Sequence, residues 1–380
     1  MGAVLGAFGF AEKAGAAEPP PLEISAWIPY WKKASGTPEV IANISIFKEI
    51  SPFGFTVKQD GTLFDASEID KEPWPELFSL AKENKVKIFP TVMWSNGVAI
   101  DRVLRNPKLR KAHIEEIVRM VNGRNFDGVD IDYEGKLAKT KNYFSLFLKE
   151  LYQAMGKKFV SCTIEARTPL SSRYDTIPKT VEYANDFVAI NKYCDRVRIM
   201  AYDQGSIDIR LNALEDGPYV PVADPRWVEK AVKEASKTIS KKKIVIGVPT
   251  YGYEYEVTPL SYGYRYDKLW SFNPRYALEL ADSMKTVPER NSAGEKSFMY
   301  IPYIGMEGGI PVSHKNLFIA TAYAMATASG GSPNPFRILW WSDASAIKDK
   351  MDLARKLGVR GVAIFKIDGG QDPEIWNVLR

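Results

Sequence analysis

The stretch Phe126-Asp127-Gly128-Val129-Asp130-Ile131-Asp132-Tyr133-Glu134-Gly135 puts four carboxylates within eight residues, in a setting otherwise apolar or aromatic. Read as a β-strand, its side chains alternate between faces. Asp130, Asp132 and Glu134 then point one way, and Val129, Ile131 and Tyr133 point the other, toward covering helices. Asp127, three residues before Asp130, faces away from the trio and reads as a structural hydrogen-bonding residue. Three acids on one face of a buried strand are costly, because each disfavours ionisation of its neighbours. Such a cost points to chemistry.

Outward from this run the chain alternates short apolar segments with amphipathic ones. Before it lie Ile24 to Trp31, Ile50 to Phe55 and Val86 to Met93, all strand-like, with a helix around Pro75 to Glu83. The helix leading into the acidic strand has Ile114, Ile117, Val118 and Val121 at helical spacing, and Gly123 to stop it. His113 lies on that helix and reads as a surface residue. After the strand, Phe144, Phe147, Leu148 and Leu151 repeat the helical spacing. Further strands are expected at Phe159 to Ile164, Val197 to Ala201, Ile244 to Thr250 and Val362 to Ile367. Asp224-Pro225 supplies an N-cap and an N1 proline for a helix burying Val228, Ala231, Val232 and Ala235.

Eight strands with helices between them predict an α/β fold, a (β/α)8 TIM barrel rather than a doubly wound sheet. The alternation breaks once, from about 257 to 337, where tyrosines and tryptophans mix with turn residues. That span is expected to be an α+β insertion after strand seven, with an extra helix near 313–328. Residues 1–21 form a leader, and 22–380 the barrel that carries the insertion.

Composition narrows the function. A hydrophobic content of 45% and a charged content of 26% are ordinary for a globular chain. The net charge of +5 comes without a tight basic run apart from Lys241-Lys242-Lys243, so no nucleic-acid partner is expected. Two histidines argue against a histidine-ligated metal or a Ser-His-Asp triad. Two cysteines exclude a disulfide framework by number and leave the compartment undecided. No cofactor, no metal and no integral membrane segment are expected, and the chain is expected to be a monomer. Ala3 to Ala11 has the length of a signal core, with Ala14-Gly15-Ala16 as a small-residue cleavage site, but no basic residues precede it. A plain Ala/Gly/Pro leader is the alternative.

In such barrels the active site lies at the C-terminal strand ends. Glu134, last in its strand, sits nearest the mouth, with Asp132 and Asp130 deeper. A glutamate beside ionised aspartates retains a proton for a leaving group, and the two aspartates should titrate as a pair. Trp31, Trp94, Tyr251 and Phe365 stand at or near strand ends, where they could stack on a sugar ring, although core packing is the default for each.

Asp127-Gly128-Val129-Asp130-Ile131-Asp132-Tyr133-Glu134 resembles the D-G-x-D-x-D-x-E signature of glycoside hydrolase family 18. Met200-Ala201-Tyr202-Asp203 is similar to the family's M-x-Y-D, Gly247 to Gly252 to its strand-seven end, and Leu339 to Asp343 to the strand closing its insertion. The resemblance implies a retaining glycosidase acting on an N-acetylglucosamine-containing oligo- or polysaccharide, outside the cell or in its envelope. It implies substrate assistance, an exception to the two-carboxylate scheme. Glu134 would be the acid, Asp132 would hold the acetamido N–H, and Asp130 would tune it. Tyr202 would bond the acetamido oxygen, while Asp203 and Met200 would contact sugar. Asp127 and Gly128 complete the motif.

The pattern departs at two strands. Thr91 to Gly97 replaces the S-x-G-G-type sequence of chitinases, and Phe365 stands where a tryptophan is usual. Lys366 suggests an anionic sugar or a peptide-bearing glycan. A glycan-binding lectin on the same barrel and a metal-dependent hydrolase are the other readings.

Overall fold

The computed structural model describes residues 21–260, 262–303, 308–312 and 334–380. The expected helix at 313–328 and nearly all of the leader lie outside these residues. Eight parallel strands close into a ring: β1 (Glu23–Pro29), β2 (Glu49–Val57), β3 (Thr91–Trp94), β4 (Gly128–Tyr133), β5 (Phe159–Glu165), β6 (Arg196–Met200), β7 (Ile244–Pro249) and, after an insertion, β13 (Gly361–Phe365). β13 pairs with both β7 and β1, which closes the barrel. The expected third strand is broken at Phe89-Pro90, because a proline cannot donate to the ladder.

Helices return the chain between strands, and their ends carry the expected signals. Asn106 accepts from the Lys108 and Leu109 amides ahead of α1 (Pro107–Gly123), and Asp224 accepts from the Arg226 amide ahead of α2 (Pro225–Ser236). Asp343 caps α3 (Ala344–Leu357) in the same way, and Gly358, with φ at 64°, ends it. Among the described residues no helix is long and apolar enough to cross a membrane.

The core has two layers. Strand residues facing outward pack on the helices, while Trp27, Phe53, Met93, Val245 and Ala363 fill the barrel interior with Phe365 above them. Deeper still, polar groups replace apolar ones. The Arg198 guanidinium is fully buried between Glu49, Ser51 and Asp130, and Arg196 donates to Glu49 at 2.8 Å. Cys162 on β5 and Cys194 just before β6 form a disulfide, so a lone bridge exists where only a framework was excluded.

The insertion is a second, antiparallel sheet ordered β9 (Gly263–Phe272), β8 (Gly252–Leu260), β12 (Phe336–Trp341) and β10 (Lys296–Pro302), with β11 (Gly309–Val312) on β10. It runs from Gly252 to Trp341, wider than 257–337, because the chain passes straight from β7 through Tyr251 into β8. A Cβ on Gly252 would lie 2.3 Å from that of Trp341, so the crossing requires glycine. Buried Glu295 ties the insertion to the barrel: it accepts from the Val222 and Ala223 amides and from Trp340, and faces Lys350 of α3 at 3.4 Å.

Candidate active site

β4 is anchored from three sides. At its start a Cβ on Gly128 would meet the Phe159 carbonyl at 2.4 Å, so only glycine lets β4 and β5 begin together. Asp127 accepts from the Ile88 amide at 2.9 Å, a structural use away from the trio. On the outer face, Tyr133 stacks on Phe147 and hydrogen-bonds His113. His113 is therefore not at the surface: it is 1% exposed, with Nδ1 2.6 Å from the Gly61 carbonyl, and burial pulls its imidazole down to about 4. Its position one residue before Ile114 and four before Ile117 puts it on the apolar stripe of α1.

On the inner face the three acids occupy different environments. Asp130, completely buried, accepts from Trp27 Nε1, Thr91 Oγ1 and Thr163 Oγ1, all at 2.9 Å, and has Arg198 at 3.3 Å. Its lone pairs are used by protein donors. Asp132 is 3% exposed, yet its Oδ1 has no hydrogen-bond partner among the described residues. Burial raises its carboxyl well above the usual range, and the charges of Glu134 and Asp130 raise it further. Glu134 is half-buried, with its amide bonded to the Trp94 carbonyl at 2.8 Å. Burial, then the Glu165 and Asp203 carboxylates, raise its carboxyl, while Lys136 opposes them.

The ends of β6, β7 and β13 complete the site. Tyr202 is buried with Asp132, Asp203, Glu134 and Asp130 as its charged neighbours, and stacks on Phe365 at 5.4 Å. Asp203 is exposed in a left-handed backbone conformation (φ 60°) and accepts from the hydroxyls of Tyr251 (2.6 Å) and Tyr253 (2.7 Å). Trp31, Asp203, Tyr251, Tyr253, Phe365 and Lys366 line a cavity of about 390 Å³. Trp31, 49% exposed, offers its ring to that cavity. Asp203 belongs to both groups, lining the cavity and acting on Glu134. Met200 is half-buried at the end of β6, level with Glu165.

Two expectations fail here. Trp94 is 2% exposed and packs against His113 and Tyr133 in the outer layer, not in the cavity. It pairs with Tyr133 across β3 and β4 and so shares that residue's outward face. Lys366 is not free to select an anionic sugar, because its amine is bonded to the Asp368 carboxylate and to Asn273 Oδ1.

Three further residues belong to the site. Tyr253 supports Asp203. Glu165 and Lys136 flank Glu134: Asp132 pairs with Thr163, so Glu165 stands level with Glu134 on the next strand, and Lys136 follows Glu134 by two residues across the left-handed Gly135.

Residues 27–370 match the model of glycosyl hydrolases family 18. The chain belongs to glycosyl hydrolases family 18. It is a glycosidase. The uncharacterized glycosylase YvbX of Bacillus subtilis (strain 168) is 22% identical over 307 residues, covering 79% of this chain and 76% of the relative. The spore cortex-lytic enzyme SleL of Bacillus megaterium QM B1551 superposes with a TM-score of 0.68 at 21% identity, over 96% of this chain and 74% of that one. A chitinase from Chromobacterium violaceum ATCC 12472 does so with a TM-score of 0.68 at 16% identity, over 94% and 98%. Both structures share the barrel fold of this family 18 member.

Proposed function

We propose that this glycosidase cleaves β-linked N-acetylglucosamine glycans, chitin-like, peptidoglycan or related, with retention of configuration, the acetamido oxygen of the substrate serving as nucleophile. The observation that carries this reading is the buried Asp132 Oδ1, an acceptor with no donor among the described residues, two positions before Glu134, whose carboxyl is raised. An acetamido N–H supplies the missing donor.

Glu134, kept protonated by burial and by Glu165 and Asp203, gives its proton to the glycosidic oxygen as the bond to the anomeric carbon breaks. The acetamido oxygen bonds to that carbon and closes an oxazolinium ring. Positive charge then spreads onto the ring nitrogen, which favours the ionised form of Asp132 and reverses the penalty it bears at rest. Asp130, held by four donors, fixes the base of the pair. Tyr202 donates to the acetamido oxygen. The Glu134 carboxylate finally takes a proton from water as the water oxygen opens the ring. Phe365 and Trp31 offer apolar ring faces to the sugars.

SleL is described as spore cortex-lytic and the Chromobacterium protein as a chitinase, which motivates testing both polymers. The Cys162–Cys194 disulfide supports work in an oxidising compartment, outside the cell or in its envelope. Hydrolysis of chitooligosaccharides and of purified peptidoglycan by wild type and Glu134→Gln tests the proposal. Turnover of one of them should be lost in Glu134→Gln, while sugar binding without turnover by wild type would indicate a lectin and sink it.

A further inference from the structure

A lysine side chain at the active site is 1% exposed, which a charged amine tolerates only for a reason. Directly after Glu134, Gly135 adopts a left-handed conformation (φ 62°) and turns the chain back on itself. The turn carries Lys136 under the acid rather than into solvent. There its amine donates to the Tyr133 carbonyl, sits over the Phe144 ring at 4.8 Å, and faces the Glu165 carboxylate at 3.7 Å. Gly97 leaves room for the turn, since a Cβ there would lie 2.2 Å from the Gly135 carbonyl oxygen. Glu165 is fixed from its other side by Asn185 Nδ2 at 2.7 Å, and Asn185 also has its carbonyl bonded by Arg167.

We propose that Lys136 and Glu165 form an ion pair of opposed levers on Glu134: two positioning residues that set the charge balance around the acid without touching the reacting atoms. The proposal rests on the assignment of Glu134 as the proton donor.

The geometry carries it. β4 and β5 are in register at Asp132 and Thr163, so Glu134 and Glu165 end adjacent strands at one level, and the buried amine serves both. A lysine needed only for packing could be an uncharged chain of the same length. Among the described residues, the other titratable groups around Glu134 are Asp132, with Asp130 below it on the same strand, and Tyr202 and Asp203 after β6, with Tyr251 and Tyr253 behind Asp203. None of these is a cation, and Arg198, deeper, is engaged with Asp130 and Glu49. Among the described groups next to Glu134, Lys136 is the one that favours its ionised form.

The test is a carbon-detected NMR titration of the Glu134 side-chain carboxyl, assigned by its disappearance in Glu134→Gln, in the intact chain. Lys136→Met should raise the Glu134 midpoint, and Glu165→Gln should lower it, each by about one pH unit for a unit charge in a partly screened site. Lys136→Met/Glu165→Gln should return close to wild type, and Lys136→Arg should stay there. The alkaline limb of kcat/KM on a chitooligosaccharide should move with each midpoint. Shifts in one common direction, or none beyond about 0.2 units, would overturn the proposal. If Lys136→Met fails to fold, Glu165→Gln alone decides, since Glu165 is exposed enough to lose its charge without collapse. Turnover that survives Glu134→Gln would refute the acid assignment while the titration still answers for the pair.

Discussion

Acidification should weaken this fold through His113, a residue outside the chemistry that holds the back of the acidic strand. The Gly61 carbonyl can only accept, so the proton of the neutral ring sits on Nδ1, and Nε2 accepts from the Tyr133 hydroxyl. Charging the ring would put an N–H on Nε2, so that the buried Tyr133 hydroxyl could no longer donate to it. Burial accordingly lowers the imidazole from 6.5 to about 4. The unfolded chain binds this proton more readily than the folded one, so the stability is present in full above pH 6.5 and is lost as pH falls toward 4. At 1.36 kcal/mol per unit, the loss is about 2 kcal/mol by pH 5 and about 3 kcal/mol by pH 4. Urea unfolding at pH 7.5 and pH 5.0 of wild type and His113→Gln measures it. Wild type should lose about 2 kcal/mol more than the variant between these conditions. Asp132 and Glu134, whose raised carboxyls act in the opposite sense, are common to both proteins and cancel in the difference. Equal losses would show that His113 does not carry this pH dependence.

Three other outcomes follow from the same contacts. Arg198→Met leaves Asp130 and Glu49 buried without their shared cation, and chemical denaturation should show a loss of roughly 3–5 kcal/mol; a loss below about 1 would show that the network is not needed. Reduction of Cys162–Cys194 frees a loop with a sequence separation of 32, which costs about 4 kcal/mol by chain entropy and should appear as a lower urea midpoint under reductant. On the proposed mechanism Tyr202→Phe removes the hydroxyl that positions the acetamido oxygen and should lower kcat about 10²-fold with little change in unfolding midpoint, whereas a large fall in the midpoint would mark Tyr202 as a packing residue.

The barrel and the trio of acids were legible because both follow from short-range pattern. Strand alternation alone separates Asp127, which takes the Ile88 amide, from Asp130, Asp132 and Glu134. Features that depend on register between strands were not legible. Trp94 looked like a cleft aromatic because it ends a strand, but its pairing with Tyr133 turns it outward. Glu165 lies more than thirty positions from Glu134 in sequence and reaches its level only through the Asp132–Thr163 pairing. Lys136 needed the left-handed Gly135 to fold it inward. His113 is legible as part of the stripe of Ile114, Ile117 and Val121, because burial there follows position on the helix and not the aliphatic character of the side chain. The tyrosine pair on Asp203 comes from the insertion's first strand and the residue before it, and joins the site only once β8 packs beside the barrel mouth.

The proposed mechanism places the nucleophile on the substrate and not on the protein. It is tested most directly by comparing kcat for a series of N-acylated β-glucosaminides in which the acetyl group carries zero, one, two or three fluorines. Fluorine withdraws electrons from the acyl oxygen and weakens it as a nucleophile, while the glycosidic bond and Glu134 are unchanged. The rate should fall steeply with each fluorine. A rate indifferent to fluorination would mean that a protein carboxylate, and not the acetamido oxygen, makes the bond.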